Sequence, residues 1–191
     1  IPVIEQVRAR FDIPISLDTS KSAVASAGIA AGVDMINDVW GFKHDGNLAK
    51  VTADAGIPCI LMHNRKEADY TDYIQNVLED LAESVEIARL SGITDEKILL
   101  DPGIGFGKTY ENNLEIMNNM EILHSFGYPL VLGASRKSVI GMTLDLPVSE
   151  RLEGTLVTTV IAVMKGAMFV RVHDIKENVR TIRMTEAIIN K

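Results

Sequence analysis

The sequence is short of cysteine, having only Cys59 in 191 residues. A single cysteine excludes an internal disulfide and is typical of proteins that fold in a reducing cytoplasm. Cys59 lies in the strand-like run PCILMH, which predicts a small core residue rather than a nucleophile. No apolar stretch approaches the roughly 18 residues of a membrane-spanning helix, and no signal peptide is recognisable. We therefore predict a cytoplasmic protein that does not bind membranes.

Several common functional signatures are also lacking. The net charge of −7 argues against nucleic acid as a main partner. There is no Cys/His zinc pattern, no G-x-S-x-G nucleophile elbow and no obvious catalytic triad. The stretch DPGIGFGKT, residues 101–109, looks like a phosphate loop, but Pro102 stands where the first glycine of G-x-x-x-x-G-K-[ST] belongs. Its glycines must therefore serve another purpose.

What the sequence does contain is a regular alternation of strand-like and helix-like patterns. With 47% hydrophobic and 24% charged residues, the composition is that of a globular domain. Short apolar runs predict strands over 14–20, 33–39, 58–64, 97–103, 129–135 and 168–174. Helices are predicted over 22–31, 46–55, 72–91, 110–126, 149–166 and 175–190, with a helical tail over 1–11.

Six strand–helix units in series imply parallel strands joined by crossover helices. A doubly wound sheet concentrates its site at one switch point, whereas a barrel collects residues from many strand ends. Every predicted strand here ends in polar residues. We therefore predict an α/β fold of the TIM (β/α)8 barrel class, with residues 1–191 forming a single domain. Because such a barrel has eight units and normally about 250 residues, we expect the first two βα units to be absent from this chain.

Three polar residues, Asp18, Asn37 and Asp101, each stand where a predicted strand passes into a loop. Carboxylates accept hydrogen bonds from ring N–H and amino groups, and an amide both donates and accepts. The three residues together suit a flat heterocycle that carries several N–H donors. The alternative is that each of them merely caps the following helix or turn.

Basic residues stand at the ends of the last two predicted strands, in SRKS (135–138) and RVH (171–173). Barrels often hold phosphate at these strand ends. Lys137 offers a point charge, Arg171 a planar fork and His173 a further donor. Arg171 lies between two valines in a strand-like run, where an unpaired charge would be costly. We therefore favour an anion site over a solvated charged loop.

The remaining candidates leave alternatives open. The glycines of residues 103–107 would allow backbone to come close to a ligand. Phe106, which stands among them, either forms a hydrophobic wall of the ligand pocket or fills the core. His63 follows a predicted strand, and we interpret it as structural.

These motifs occur together in one known family. SLDTSK, INDVWGF, LMHNR, LLDPGIGFGKT, GASRKS, ERLEGT and RVHD resemble the motifs of dihydropteroate synthases of the bacterial folate pathway, in the same order and over nearly the whole chain. The resemblance implies a (β/α)8 barrel, usually a homodimer, with Mg2+ as cofactor. It implies the condensation of 6-hydroxymethyl-7,8-dihydropterin pyrophosphate with 4-aminobenzoate to give dihydropteroate and pyrophosphate. Sulfonamides would compete with aminobenzoate.

The resemblance also implies roles for single residues. It assigns pterin binding to Asp18, Asn37, Met62, Asp101, Phe106 and Lys137. It assigns pyrophosphate binding to Arg171 and His173, and aminobenzoate binding to Phe106, Lys137 and Ser138. The implied mechanism loses pyrophosphate first and leaves a pterin cation that the arylamine attacks, with Asp18, Asp101 and Lys137 as catalytic residues. The two carboxylates would stabilise the developing positive charge by preorganised electrostatics.

The sequence departs from the family in one respect and leaves two other functions open. The family's NVTPDSF motif, which carries the asparagine that helps to bind Mg2+, is absent, so no metal ligand is expected within this chain. A methyltetrahydrofolate–corrinoid methyltransferase uses a similar pterin-binding barrel but needs no pyrophosphate clamp. An inactive barrel remnant would only bind pterin or assemble with a partner. Calorimetric titration with pterin, pyrophosphate and folate separates the three.

Overall fold

A computed structural model describes residues 1–190 of the chain. The strands are β1 Ser16–Asp18, β2 Met35–Asp38, β3 Cys59–Met62, β4 Ile98–Asp101, β5 Val131–Leu132 and β6 Phe169–Val170. The α-helices are α1 Pro2–Arg10, α2 Ser22–Ala30, α3 Leu48–Ala55, α4 Tyr73–Leu90, α5 Tyr110–Asn118, α6 Ser138–Leu144, α7 Leu152–Met164 and α8 Ile175–Ile189. Short 3-10 helices cover Asp95–Lys97, Met120–Phe126 and Val148–Glu150.

The residues group into two compact units. The N-terminal unit consists of residues 1–64 and 77–100. The C-terminal unit consists of residues 65–76 and of the described chain from 101 onward. Each unit is described by itself below, and the single domain expected from the sequence stays a prediction.

The N-terminal unit is built on a sheet with the strand order β1-β2-β3-β4, to which β4 contributes as far as Leu100. Strands β1 and β2 pair in parallel, as do β2 and β3, and the register places Asp18 opposite Asn37. All residues of β3 are buried. This is the pattern of a parallel sheet that is covered on both faces. The sheet therefore confirms parallel strands and presents Asp18 and Asn37 side by side.

The C-terminal unit contains the parallel strand pair β5–β6, in which Val131 lies opposite Phe169. Helices α5, α6 and α7 pack on one another, and α7 packs on α8. Its largest fully buried side chains include Ile104, Ile116, Met120, Leu123 and Leu130.

The predicted elements are present, with shorter strands and one additional helix. The six predicted strands each contain an observed one, because the short apolar runs mark buried segments but not where pairing stops. The predicted helix over 110–126 ends at Asn118 and continues as a 3-10 helix, and the one expected from residue 149 begins at Leu152. Helix α6 was not predicted, because Gly141 and the β-branched residues of SVIGMTL are poor helix formers.

Candidate active site

The N-terminal unit carries a buried hydrogen-bond acceptor that has no partner in the described part of the chain. The Asn37 Nδ2 group donates to the Asp18 Oδ1 atom over 2.7 Å. Because an ionised carboxylate only accepts, this bond fixes which end of the amide faces Asp18. The Asn37 Oδ1 atom at the other end is buried and has no hydrogen-bond partner among residues 1–190. Leaving such an acceptor unsatisfied costs about 1–3 kcal/mol, so this site is suited to a ligand that brings a donor.

Asp38, the next residue, has a different task that the sequence did not reveal. Its carboxylate is buried and accepts from the backbone N–H groups of Trp40 (3.1 Å) and Phe42 (2.7 Å). These bonds hold a tight loop in which Phe42 has a φ of 66°. Burial raises the pKa of Asp38, and the two N–H donors oppose that shift. Asp38 therefore shapes the loop behind Asn37.

The end of β3 places Met62 and His63 in the core of the N-terminal unit. Both are buried, with 4% and 1% of their surface exposed. The His63 Nε2 atom lies 2.9 Å from the Asp80 Oδ2 atom on α4. Lys43 Nζ donates to the Asp80 carbonyl over 2.8 Å and so holds the same turn of the helix. These contacts support the interpretation of His63 as a structural residue.

In the C-terminal unit, Asp101 ends β4 as a buried carboxylate. Its Oδ1 atom accepts from the Gly103 N–H over 2.7 Å. A Cβ added to Gly133 would lie 3.6 Å from Asp101 Oδ2 and 3.8 Å from Arg171 Cβ, so both side chains flank this glycine. Burial raises the pKa of Asp101, while the Gly103 N–H and the charges of Lys137, Lys108 and Arg171 favour its ionised form.

Lys137 stands beside the same carboxylate. Its Nζ atom donates to the Ile104 carbonyl and lies 4.5 Å from the ring centroid of Phe106. Burial lowers the pKa of Lys137, and the Asp101 carboxylate partly restores it. The structure thus brings together Asp101, Phe106 and Lys137, three residues predicted to act at one site. An ammonium group over an aromatic face, with a carboxylate near it, can bind flat polar molecules that carry partial charges.

The glycine-rich loop is held by the protein itself. The N–H of Gly105 donates to Asn113 Oδ1 over 2.6 Å, and the N–H of Phe106 to the Gly103 carbonyl over 3.2 Å. The three glycines have φ values of 71°, 81° and 52°, and a Cβ on Gly107 would lie 2.3 Å from the Arg65 carbonyl oxygen. The glycines therefore allow close contact between protein segments. Because these N–H groups donate to protein atoms, they are not directed at a phosphate. This agrees with the mismatch between this loop and the phosphate-loop motif.

The two basic segments are only partly available to an anion. Arg136 binds the Asp174 carboxylate with two nitrogens, Nε at 3.0 Å from Oδ2, and is thereby engaged. The Ser135 Oγ atom lies 2.9 Å from His173 Nδ1. The inference that Arg171 lies inside a strand was wrong, because β6 ends at Val170 and Arg171 is exposed. The case for an anion site at Arg171 and His173 therefore rests on the exposure of both side chains, which leaves them accessible to an anion. This site stays a prediction.

Ser138, the remaining predicted contact of aminobenzoate, is the exposed first residue of α6. It follows Lys137 directly in the chain, so the backbone contacts that fix the position of Lys137 also fix the position of Ser138.

Among the described residues, these groups are accompanied by neither a metal-binding cluster nor a reactive thiol. Within residues 1–190, no three His, Cys, Asp or Glu side chains form a group that could hold a metal ion. Two further histidines have contacts of other kinds. The ring centroids of Trp40 and His44 lie 5.9 Å apart in a stacked arrangement, and His124 Nε2 contacts the Lys165 carbonyl. Burial raises the pKa of Cys59 to about 12, as suits a core residue. None of the described helices is long and apolar enough to cross a membrane.

Comparison with known proteins identifies the family of the chain. The family model described as "Pterin binding enzyme" matches residues 1–173. The dihydropteroate synthase of Clostridium beijerinckii is 54% identical and aligns with 100% of this chain and 71% of its own length. That of Bacillus subtilis is 49% identical, with coverage of 100% and 67%.

Solved structures show the same likeness. A dihydropteroate synthase from Clostridium difficile, crystallised with pteroic acid, superposes with a TM-score of 0.97 at 44% identity, covering 100% of this chain and 73% of that chain. The Yersinia pestis enzyme with a sulfonamide drug gives a TM-score of 0.94 at 36% identity, covering 99% and 71%. These likenesses confirm the predicted α/β barrel class. The chain belongs to the pterin binding enzyme family and, within it, to the dihydropteroate synthases.

Proposed function

We propose that the protein condenses 6-hydroxymethyl-7,8-dihydropterin pyrophosphate with 4-aminobenzoate to form dihydropteroate and pyrophosphate. The observation that carries this proposal is the buried Asn37 Oδ1 atom, an acceptor that finds no donor within the described residues and whose direction is fixed by the bond of Asn37 to Asp18. A pterin ring carries amino and ring N–H donors along one edge. Such an edge supplies the donor that this buried oxygen lacks, and Asp18 offers a carboxylate beside it.

The C-terminal unit offers groups for the chemical step. Loss of pyrophosphate breaks a C–O bond and leaves positive charge on the pterin, and the amine nitrogen of aminobenzoate then forms the new C–N bond and releases a proton. A buried carboxylate at Asp101, already oriented by the Gly103 N–H, favours such a cation without reorganising. Lys137, which lies beside Asp101 and over the Phe106 ring, would orient pterin and aminobenzoate together with Ser138. Sulfonamides would compete at the aminobenzoate position.

The basic groups favour a synthase over a corrinoid methyltransferase. Arg171 and His173 lie at the surface after β6, and Arg171 contributes to the electrostatic environment of both Asp101 and Lys137. A diphosphate leaving group needs cationic partners of this kind, whereas a folate methyl donor carries no diphosphate. Pterin pyrophosphate is therefore the substrate that uses both the Asp101 carboxylate and the cations of the C-terminal unit.

Three further properties belong to the proposal. Mg2+ prefers oxygen ligands and commonly binds substrate phosphates, so its binding would rest on the pyrophosphate, since residues 1–190 present no acidic metal cluster. A homodimer is supported by an apolar groove of about 410 Å3 on the C-terminal unit, lined by Leu114, Met117, Val139, Val157 and Ile161 among others. A cytoplasmic location is supported by the unpaired Cys59 thiol.

The test is a coupled measurement of product and leaving group. The complete gene product is incubated with pterin pyrophosphate, 4-aminobenzoate and Mg2+. We expect dihydropteroate, identified by mass spectrometry, and pyrophosphate in equal amounts, both requiring aminobenzoate. Transfer of a methyl group from methyltetrahydrofolate to a corrinoid, or pterin binding without turnover, would contradict the proposal.

A further inference from the structure

The loop that carries Lys137 contains a residue in an unfavourable conformation. Arg136 has a φ of 55°, in the left-handed region that residues with side chains rarely adopt. Such a conformation persists only where its surroundings over-determine it, and it clusters at functional sites. It also sets the direction in which the chain enters Lys137, the first residue after the turn.

The backbone N–H, the backbone carbonyl and the guanidinium of Arg136 are each engaged in hydrogen bonds. Its N–H donates to Thr155 Oγ1 over 3.0 Å, and its guanidinium binds the carboxylate of Asp174. Its carbonyl accepts from Arg151 Nη1 over 3.0 Å. The left-handed turn is thus held from three directions.

Arg151 reaches further than this one carbonyl. The same Nη1 atom lies 3.3 Å from the Lys137 carbonyl oxygen, and Nε donates to the Leu146 carbonyl over 3.0 Å. Its side-chain partners in the described chain are all main-chain carbonyls. One guanidinium therefore ties the two residues that precede α6 to Leu146, the second residue after the helix.

Gly141 gives independent support for this arrangement. A Cβ added at this position in α6 would lie 2.1 Å from Arg151 Nη2. In a helix interior, glycine is less favourable than every other residue except proline. Helix formation therefore gives no reason for a glycine at this position. The space that Gly141 leaves is occupied by the guanidinium of Arg151.

We propose that Arg151 is a positioning residue for the synthase reaction. By holding the left-handed turn at Arg136, it fixes where Lys137 and Ser138 present their side chains to the substrates. This inference rests on the proposed function. The competing explanation is that Arg151 only stabilises the packing of α6 on α7.

The first experiment displaces the guanidinium in two ways in the complete gene product. Arg151→Ala removes it, and Gly141→Ala pushes it aside. Each variant should lower kcat/KM per folded molecule by roughly 10- to 100-fold, the effect of a small misplacement of a catalytic group. Millimolar guanidinium chloride should restore activity to Arg151→Ala. Arg183→Ala, an exposed arginine of α8, is the matched control and should keep its kcat/KM.

The double variant tests whether the two changes act through one group. With Arg151→Ala present, adding Gly141→Ala should lower kcat/KM no further, because the group that the methyl would displace is already gone. Guanidinium should fail to rescue the double variant, because the methyl occupies its place. Losses that multiply, or a lower melting temperature with unchanged kcat/KM, would overturn the proposal.

Amide hydrogen exchange separates a failure of this inference from a failure of the proposed function. Residues 134–141 should exchange faster in Arg151→Ala and Gly141→Ala than in the wild type or Arg183→Ala. If the wild type makes no dihydropteroate, the proposed function is lost, and exchange still shows whether Arg151 holds the loop. Unchanged exchange in both variants would overturn the positioning role itself.

Discussion

Asn37 uses one end of its amide for Asp18, and the other end is buried and receives no hydrogen bond from the part of the chain that the structure describes. We expect Asn37→Ala to weaken pterin binding at least tenfold, since a hydrogen bond to a buried group contributes about 1–3 kcal/mol once its partner is left unpaired. The Asn37→Ala variant should still fold, because the substitution also removes the unsatisfied oxygen. Calorimetric titration with a pterin measures the effect. Asn47→Ala, at an exposed asparagine without a side-chain cap bond, is the control. Equal affinities in wild type and Asn37→Ala would show that the orphan oxygen does not recognise the ring.

Asp101 illustrates a cost that an active site imposes on stability. Burial raises its pKa, so the ionised form costs more free energy in the folded protein than in the unfolded chain. For a group whose folded pKa lies above its unfolded value, the stabilisation is complete below the unfolded pKa and is lost as the pH rises through the folded pKa. Asp101→Asn keeps an acceptor for the Gly103 N–H and carries no charge.

This variant should therefore lose pterin binding and yet melt at a higher temperature at neutral pH. A rise of roughly 2–4 °C is expected for each 1 kcal/mol in a protein of this size. The difference from wild type should shrink as the pH falls toward the ordinary carboxyl pKa. Calorimetric scans between acidic and neutral pH measure it. A variant that is less stable than wild type at neutral pH would mean that the ionised carboxylate is well compensated in the fold.

Sequence reasoning identified single polar residues at the ends of strands but not their bonds. Asp18 and Asn37 were predictable as neighbours because parallel strands place equivalent ends together. The engagement of Arg136 by Asp174 was not predictable, because its partner lies 38 residues away. The exposure of Arg171 was not predictable either, because β6 stops after two residues although the apolar run continues.

At the scale of elements, the loop over residues 103–109 contains a glycine whose substitution should lower the free energy of unfolding. Gly107 combines a φ of 52° with a Cβ position 2.3 Å from the Arg65 carbonyl oxygen. Gly127 also has a positive φ, 76°, but nothing lies within 4 Å of its Cβ position. Gly127→Ala should therefore cost only the left-handed conformation, about 1–2 kcal/mol, whereas Gly107→Ala should cost distinctly more. Urea unfolding gives both values, and equal losses would mean that the Arg65 segment can move away.

Helix α6 shows why one element escaped prediction. Its glycine and β-branched residues lower the intrinsic preference for a helix, and its explanation lies in tertiary contacts with Arg151. The long helix α4, by contrast, was predicted almost to the residue, because its polar and apolar residues alternate with helical spacing over five turns.

At the scale of the whole molecule, the apolar groove of the C-terminal unit bears on assembly. Val157 lines it with 61% of its surface exposed. If a second copy covers this groove, Val157→Glu should convert a dimer to a monomer, because a buried unpaired charge is strongly unfavourable. Sedimentation velocity distinguishes the two states. Val24→Glu, at an exposed valine of α2, should leave the mass unchanged. A Val157→Glu protein that remains dimeric would place the contact elsewhere.

The glycine-rich loop also limits how the protein can evolve. Any substitution of a glycine introduces a side chain, and Gly105 and Gly107 have positive φ values with protein atoms 3.3 Å or less from the Cβ position. Phe106 between them has an ordinary side chain that can be exchanged without strain on the backbone. Under selection for altered substrate choice, heritable change in this loop should therefore collect at position 106, while its two neighbours stay glycine in every surviving lineage.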